Sequence, residues 1–342
     1  FINLYKDGLV YRDKKLVNYC TKCGTSYSEL EVNHIEETTK LYFIKYGPFV
    51  LATTRPETKF ADTAVAVHPS DKRYIKFIGQ EIEVEGLLGK FKIKVIADEY
   101  VDPKFGTGVV KITPYHDFND YEVWQRHKDE IPEPKQVIGF DGKLTGIAGK
   151  YSGLKTKAAR ELIEKDLQAI GLLEKVDDKY MHTIGTCYRC GSILEPLPLL
   201  QFFIRVKSLA QKALMTLDSK ETVVFGAGRE KILRNWLTNL KDWNISRQIV
   251  WGIRIPAWYK DNQMQICKES PGEGWIQDID SFDTWFSSGQ WPVITLRSKP
   301  GDFEKFYPTT IMETGYDILP IWVVRMMLLG IYMTGKSPFK QV

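Results

Sequence analysis

The sequence predicts a mixed α/β protein in which a compact, barrel-like β domain interrupts an α/β body, and three observations carry that expectation. At 342 residues the chain exceeds what one core usually serves. Two Cys-x-x-Cys pairs, Cys20 with Cys23 and Cys187 with Cys190, supply four thiolates for a structural tetrahedral site. The separation of 164 positions from Cys23 to Cys187 makes everything between them an insertion whose ends such a site would clamp together. Inside that stretch, short β-prone runs follow one another with few helical ones, the texture of a barrel-like domain.

Residues 1–16 predict a helix end, a turn at Gly8 and an extended segment leading into the first cysteine turn, YCTKCGT. From Glu36 the runs KLYFIKYG, FVLATT, TAVAVHP and QEIEVEGLLGKFKIKVIAD predict strands, punctuated by glycine and proline. Asp71 to Phe77 predicts a helical turn or two. GTGVVKI predicts a strand stopped at Pro114, and Asp117–His127 a helix with Asp117 as its N-cap. FDGKLTGIAGKYSG predicts a glycine-rich link, and Lys155–Ile170 an amphipathic helix ended by Gly171. After TCYRCGS, helices are expected over VKSLAQKALMTL, Arg229–Leu240 and the apolar run Ile318–Met333. Boundaries are expected near Glu36 and His182.

Composition narrows the function class. Hydrophobic residues make up 43% and charged residues 26%, as in folded proteins. No apolar run approaches the roughly 18 residues that span a bilayer. Five cysteines are few for an oxidised scaffold of this size, and Cys267 has no partner motif. A net charge of +4 does not by itself argue for nucleic acid. Arg229, Lys231, Arg234, Lys241, Arg247 and Arg254 do fall near Trp236, Trp243, Trp251 and Trp258. That mixture either contacts phosphates and bases or buries its tryptophans in a core. The N-terminus has neither Met nor a signal-peptide core, and the chain is expected to be a piece of something longer.

Two stretches carry chemistry. In GTGVVKITPYHDFNDY, Lys111, Thr113, His116, Asp117 and Asp120 crowd one strand end. TTRPETKFADT brings Thr53, Thr54 and Arg55 in the same style. A carboxylate there suits a ligand ammonium, and the Lys, Arg and hydroxyl donors suit an ester carbonyl or a developing oxyanion. No Ser-His-Asp or Cys-His spacing is evident, so hydrolysis by a positioned water is the expected chemistry. Taken singly, Asp117 is also a helix cap, His116 a core histidine, and the charges surface ion pairs.

The segments LVNYCTKCGTSYSELEV, ATTRPETKFADTAVAVHPSDKRY, GTGVVKITPYHDFNDYEV, NWLTNLKDWNISRQIVWGIRIPAW, FDTWFSSGQWP and ETGYDILPIWVVRMM together resemble the central part of the valyl-tRNA synthetases, within the class I aminoacyl-tRNA synthetases. The isoleucyl relatives are the alternative, but they would carry Thr-Pro-Trp at Arg55 to Glu57 and an aspartate at Ser287.

The resemblance implies a barrel-like editing (CP1) domain at 37–182, inserted into a partial Rossmann-type catalytic domain. Residues 1–36 would end the first half of that domain and 183–342 begin the second. It implies hydrolysis of mischarged Thr-tRNA(Val), in a cytoplasmic, monomeric parent that joins valine to tRNA(Val) with ATP and Mg2+. It implies one structural Zn2+ on Cys20, Cys23, Cys187 and Cys190.

By motif position, Asp120 would hold the α-amino group, while Lys111, Thr113 and Asp117 share the hydroxyl and the water. Arg55 and Phe105 would face the terminal adenosine. Trp285, Ile318 and Trp322 would frame valine, with Gly315 and Asp317 near the adenylate ribose; on residue type alone these are core. Neither a HIGH-type nor a KMSKS-type signature is present, so this stretch alone is not expected to activate valine. Tyr115 and Trp124 stand where the family usually has alanine and glycine. The other implied possibility is a module that binds the tRNA acceptor end without turnover.

Overall fold

A computed structural model describes residues 1–342, which divide into two compact units. One comprises Lys15–Gly24 and Val32–Leu199; the other comprises Phe1–Lys14, Thr25–Glu31 and Leu200–Val342.

The first unit is built on two sheets. Val32–Tyr46 and Leu173–Cys187, each 15 residues long, form an antiparallel ladder from Val32↔Cys187 to Ile44↔Leu173, and Phe49–Thr53 joins the other edge of Val32–Tyr46. The second sheet runs Glu81–Gly86, Gly89–Ala97, Ala64–Val67, Val109–Ile112, with one parallel pairing between Ala64–Val67 and Gly89–Ala97. Neither sheet closes on itself in strand order, so the expected barrel resolves into two open sheets.

Strand alternation explains how the second sheet is covered on both faces. Val65 and Val67 point into a core with Leu51, Tyr46, Val84 and Val95. Ala64 and Ala66 point the other way, where the small side chains leave room for Val123 and Trp124 of the helix Phe118–His127. Trp124 is thus a buried core residue of that helix. The helix Thr156–Ala169 buries Ala159, Ile163 and Leu167, a stripe with a step of four positions, against Tyr42, Ile44 and Tyr151.

The glycine-rich stretch expected as a link is core instead. Leu144, Ala148 and Tyr151 are buried, a short 3-10 helix spans Gly146–Tyr151, and Tyr151 Oη donates to Asp166 at 2.6 Å. Glycine signals turns, but it does not show that the apolar residues between them face inward. Asp71 to Phe77 likewise yields only a single 3-10 turn, Ile75–Phe77.

Helices make up most of the regular structure of the second unit. Lys207–Asp218, Arg229–Asn239 and Val324–Thr334 pack around one apolar cluster, and Leu319–Val323 ahead of the last is a π-turn rather than α-helix. Parallel pairing is confined to Thr309–Ile311 with Phe339–Gln341 and a bridge from Val223 to Gln341.

Buried charge in this unit gathers around Trp243. Glu31 and Asp283 flank Arg247, Asp283 also accepts from Trp243 Nε1 at 2.8 Å, and Arg325 lies with its Cζ 3.7 Å from the centre of the Trp243 ring. Trp243 is core, whereas Trp251 is 92% exposed, so the core alternative holds for Trp243 and not for Trp251.

Candidate active site

The first unit holds a cavity of about 230 Å3 at the junction of its two sheets. Nine residues singled out from sequence line it: Thr53, Thr54, Arg55, Phe105, Lys111, Thr113, His116, Asp117 and Asp120. They converge because Phe49–Thr53 ends beside the end of Val109–Ile112, which turns at Pro114 into the helix Phe118–His127.

Asp117 caps that helix, its Oδ1 accepting from the amides of Asn119 at 2.8 Å and Asp120 at 3.1 Å. The cap aims the first turn so that Asp120 is buried beneath the pocket, where its Oδ2 accepts from the Thr113 amide at 2.8 Å. Burial pushes the Asp120 carboxyl up to about 8; Asp117 adds to the rise and the Lys111 charge opposes it. Such a carboxylate is short of positive charge, which a ligand ammonium would supply.

Beside it stands a dense hydrogen-bonded cluster. Lys111 Nζ directs its protons at Thr58 Oγ1 at 3.1 Å, Asp62 Oδ1 at 3.3 Å and Thr113 Oγ1. Thr113 donates its hydroxyl to Asp62 Oδ1 at 2.6 Å, and Tyr46 Oη donates to Asp62 Oδ2 at 2.8 Å. The Asp62 side chain is fully buried. Nearby, Lys59 Nζ is buried without a hydrogen-bond partner 5.3 Å from the Tyr46 ring centre, and burial pushes it down to about 8.

Arg55 is engaged on three sides: with Glu195, with Glu57 at 3.4 Å, and with the His116 carbonyl at 3.0 Å. Burial works against its charge, but the two carboxylates outweigh it and hold the guanidinium protonated. Glu57 is in turn gripped by Arg160 through bonds of 2.7 and 3.0 Å. His116 is buried, its Nε2 accepts from the Val137 amide at 2.9 Å, and burial keeps the ring neutral, far below the usual imidazole range. Phe105, by contrast, is 63% exposed at the rim.

Asp62, Arg160 and Glu195, with Tyr180 and His182 in the cavity wall, were not singled out from sequence. Asp62 and Glu57 stand inside TTRPETKFADT, a polar segment in which nothing local marks an acid for burial. Arg160 and Glu195 carry no local signal, since only tertiary structure brings them to residue 57 or 55.

The four cysteine Sγ atoms lie within 4.8 Å of one another, with Cys20–Cys190 at 3.5 Å and Cys23–Cys187 at 4.0 Å. Four thiolates around a tetrahedral zinc, with Zn–S near 2.3 Å, would stand about 3.8 Å apart. The set therefore fits a metal ion. It sits at the root of the long ladder, where Cys187 pairs with Val32.

In the second unit, Gly315 lines a separate cavity of about 380 Å3 with Arg229 and Tyr316, whereas Trp285, Asp317, Ile318 and Trp322 do not. Trp285 and Trp322 pack on the core, Trp322 Nε1 donates to the Ser288 carbonyl at 3.0 Å, and its ring stacks on Trp291 with centres 6.5 Å apart.

The family model described as tRNA synthetases class I (I, L, M and V) matches residues 1–276 and 267–342. Curated relatives include a valine--tRNA ligase of Petrotoga mobilis, 44% identical over 359 residues. Those of Geobacter sulfurreducens and Thermotoga maritima are each 42% identical. Each match covers 100% of this chain and 40–41% of the relative, so the chain spans about two-fifths of the length of these relatives.

Proposed function

Because the chain belongs to the class I tRNA synthetase family, we propose that the pocket between Thr53 and Asp120 hydrolyses threonine from mischarged tRNA(Val). Residues 37–182 then serve as an editing domain, and residues 1–36 and 183–342 as parts of a Rossmann-type catalytic domain. The whole protein joins valine to tRNA(Val) with ATP and Mg2+, in the cytoplasm and as a monomer. No helix is long and apolar enough to cross a membrane.

The observation that carries this reading is that Asp120, Lys111 and Thr113 line one small cavity, Asp120 held by the Thr113 amide, and the Thr113 hydroxyl and Lys111 tied to the buried Asp62 behind them. An aminoacyl ester brings an α-ammonium, which Asp120 receives. The threonine hydroxyl replaces the longest of the Lys111 contacts, the one of 3.3 Å to Asp62. A valine methyl cannot replace it and would leave a buried ammonium donor unpaired. That asymmetry supplies what an apolar synthetic pocket lacks, since such a pocket rejects a hydroxyl-bearing isostere poorly, a limitation for which the valyl enzymes are the established example. Asp117, capping the helix through Oδ1, keeps Oδ2 for the attacking water at the rim. Arg55, held by Glu57 and Glu195, presents a fixed positive edge to the terminal adenosine beside Phe105.

A zinc ion on Cys20, Cys23, Cys187 and Cys190 would supply structure only, tying the two ends of the editing domain. In the second unit, Trp285, Ile318 and Trp322 would frame valine, with Gly315 and Asp317 toward the ribose.

The test is deacylation of Thr-tRNA(Val) and Val-tRNA(Val) by the 342-residue chain, with rapid loss of threonine and sparing of valine expected. Equal hydrolysis of both esters sinks the reading. Binding without hydrolysis by a folded sample would make the unit an acceptor-end binding module instead.

A further inference from the structure

Lys59 has no part in the proposed reaction: it does not line the Thr53–Asp120 cavity, and its Nζ is buried without a hydrogen-bond partner. An ammonium in that state is costly unless a nearby charge offsets the loss of water. Lys59 lies in the 3-10 helix Pro56–Ala61, one position after Thr58 and three before Asp62. Its Nζ stands 5.3 Å from the centre of the Tyr46 ring, within cation–π range. The hydroxyl of that same ring donates to Asp62 Oδ2 at 2.8 Å. On its other oxygen, Asp62 accepts from Thr113 at 2.6 Å and from Lys111 at 3.3 Å. One fully buried carboxylate is thus set between two cations, Lys111 in direct contact on the cavity lining and Lys59 through the Tyr46 ring away from it.

The charges that act on Lys59 are Asp62, just beyond its own 3-10 helix, and Lys111 of the strand Val109–Ile112, while the Tyr46 ring comes from the end of the strand Val32–Tyr46. Burial pushes the Lys59 ammonium down to about 8, Asp62 opposes the fall and Lys111 adds to it. Near neutral pH the side chain keeps its charge. When a threonine hydroxyl takes over the Lys111–Asp62 contact, a buried carboxylate loses its nearest cation, which is strongly destabilising unless a second positive charge stands by. Lys59 is that charge. Its place on the Tyr46 ring also polarises the ring hydroxyl toward Asp62.

We propose that Lys59 is a positioning residue for threonine selection, holding Asp62 through Tyr46 and so releasing Lys111 to the hydroxyl of the bound aminoacyl group. A valyl group makes no such exchange, so Lys59 does not affect its binding. The inference rests on the reading that the Thr53–Asp120 pocket recognises a threonine hydroxyl.

The experiment measures, by calorimetry near pH 7 and near pH 9, the Kd of the non-hydrolysable amide analogues of threonyl-adenosine and valyl-adenosine. The proteins are the 342-residue chain, its Lys59→Met, Lys59→Arg and Asp62→Asn variants, and the double variant Lys59→Met, Asp62→Asn. The quantity read is the ratio of the valyl to the threonyl Kd, from which the titration of the ligand amine and of Asp120 cancels. At pH 7, Lys59→Met is expected to raise the threonyl Kd about tenfold and to leave the valyl Kd within about twofold. The ratio of the unaltered chain should fall toward the Lys59→Met value at pH 9, as Lys59 loses its proton. It should stay level with pH in Lys59→Met and in Lys59→Arg. With Asp62→Asn no carboxylate is left to compensate, so adding Lys59→Met should not move the ratio further. A ratio that Lys59→Met leaves unchanged overturns the inference while the reading of the pocket stands, and so does an equal pH dependence in the unaltered chain and Lys59→Met. Equal binding of both analogues by the unaltered chain overturns the hydroxyl reading and this inference with it. The pH dependence of the unaltered chain needs no substitution, so a ratio there that ignores pH overturns the inference even where a variant misfolds.

Discussion

The amide of Thr113 donates to Asp120 Oδ2 at 2.8 Å, so the residue that ends the strand also holds the buried carboxylate of the following helix. One donor does not offset burial, and Asp120 rises to about 8. An unfolded Asp titrates near 3.9. The folded protein therefore binds this proton more tightly than the unfolded chain does. Asp120 imposes no penalty below about pH 4, a growing one as pH rises toward 8, and a constant one above.

Asp120→Asn should accordingly be as stable as the parent near pH 4 and more stable, on the order of a few kcal/mol, at pH 8.5. Denaturant unfolding across that range checks it, and a variant uniformly less stable at every pH would count against the buried charge. The same variant should lose at least about 10²-fold in threonyl ester hydrolysis, because the ammonium loses its charged partner.

Thr113→Val keeps the side-chain volume and removes the hydroxyl shared by Asp62 and Lys111. A loss of about 1–3 kcal/mol in stability is expected. Discrimination between threonyl and valyl esters should fall about tenfold or more. Retained discrimination in a folded variant would remove Thr113 from the hydroxyl-reading group.

Glu57→Gln leaves both Arg55 and Arg160 short of a partner in a fully buried position. Breaking one side of such a network costs about 3–5 kcal/mol, somewhat less here because Arg160 is partly exposed. A double-mutant cycle with Arg160→Gln should return a coupling of about 1–3 kcal/mol. Additive losses would show that the two residues act independently.

Metal content is the simplest measurement. About one zinc per chain is expected, with none retained by the Cys187→Ser, Cys190→Ser double variant. A lower Tm should follow chelation, since binding to such a site is coupled to folding. A folded, metal-free sample whose Tm ignores chelator would refute the clamp.

Much of the local structure was legible in the residues. The Asp117 cap, the Gly171 stop and the strands flanking Gly47–Pro48 follow from short-range rules that act within a few positions. The alternation in TAVAV showed a strand but not that its two faces would be covered differently, valines toward the other sheet and alanines toward a helix. Glycine content misassigned the stretch around Tyr151, because turn propensity says nothing about which neighbours are buried.

By itself the sequence determined that four cysteines come in two matched turns and that acids, hydroxyls and cations crowd two short motifs. Those are matters of residue type and spacing, and they survive any arrangement of the chain. Only the tertiary structure decided that Asp62 joins Lys111 and Thr113, that Arg160 and Glu195 hold Glu57 and Arg55, and that Asp120 is buried. The reason is physical: a hydrogen bond across 51 or 103 positions, or a carboxyl pushed to about 8, depends on what the fold removes from water and what it sets beside it.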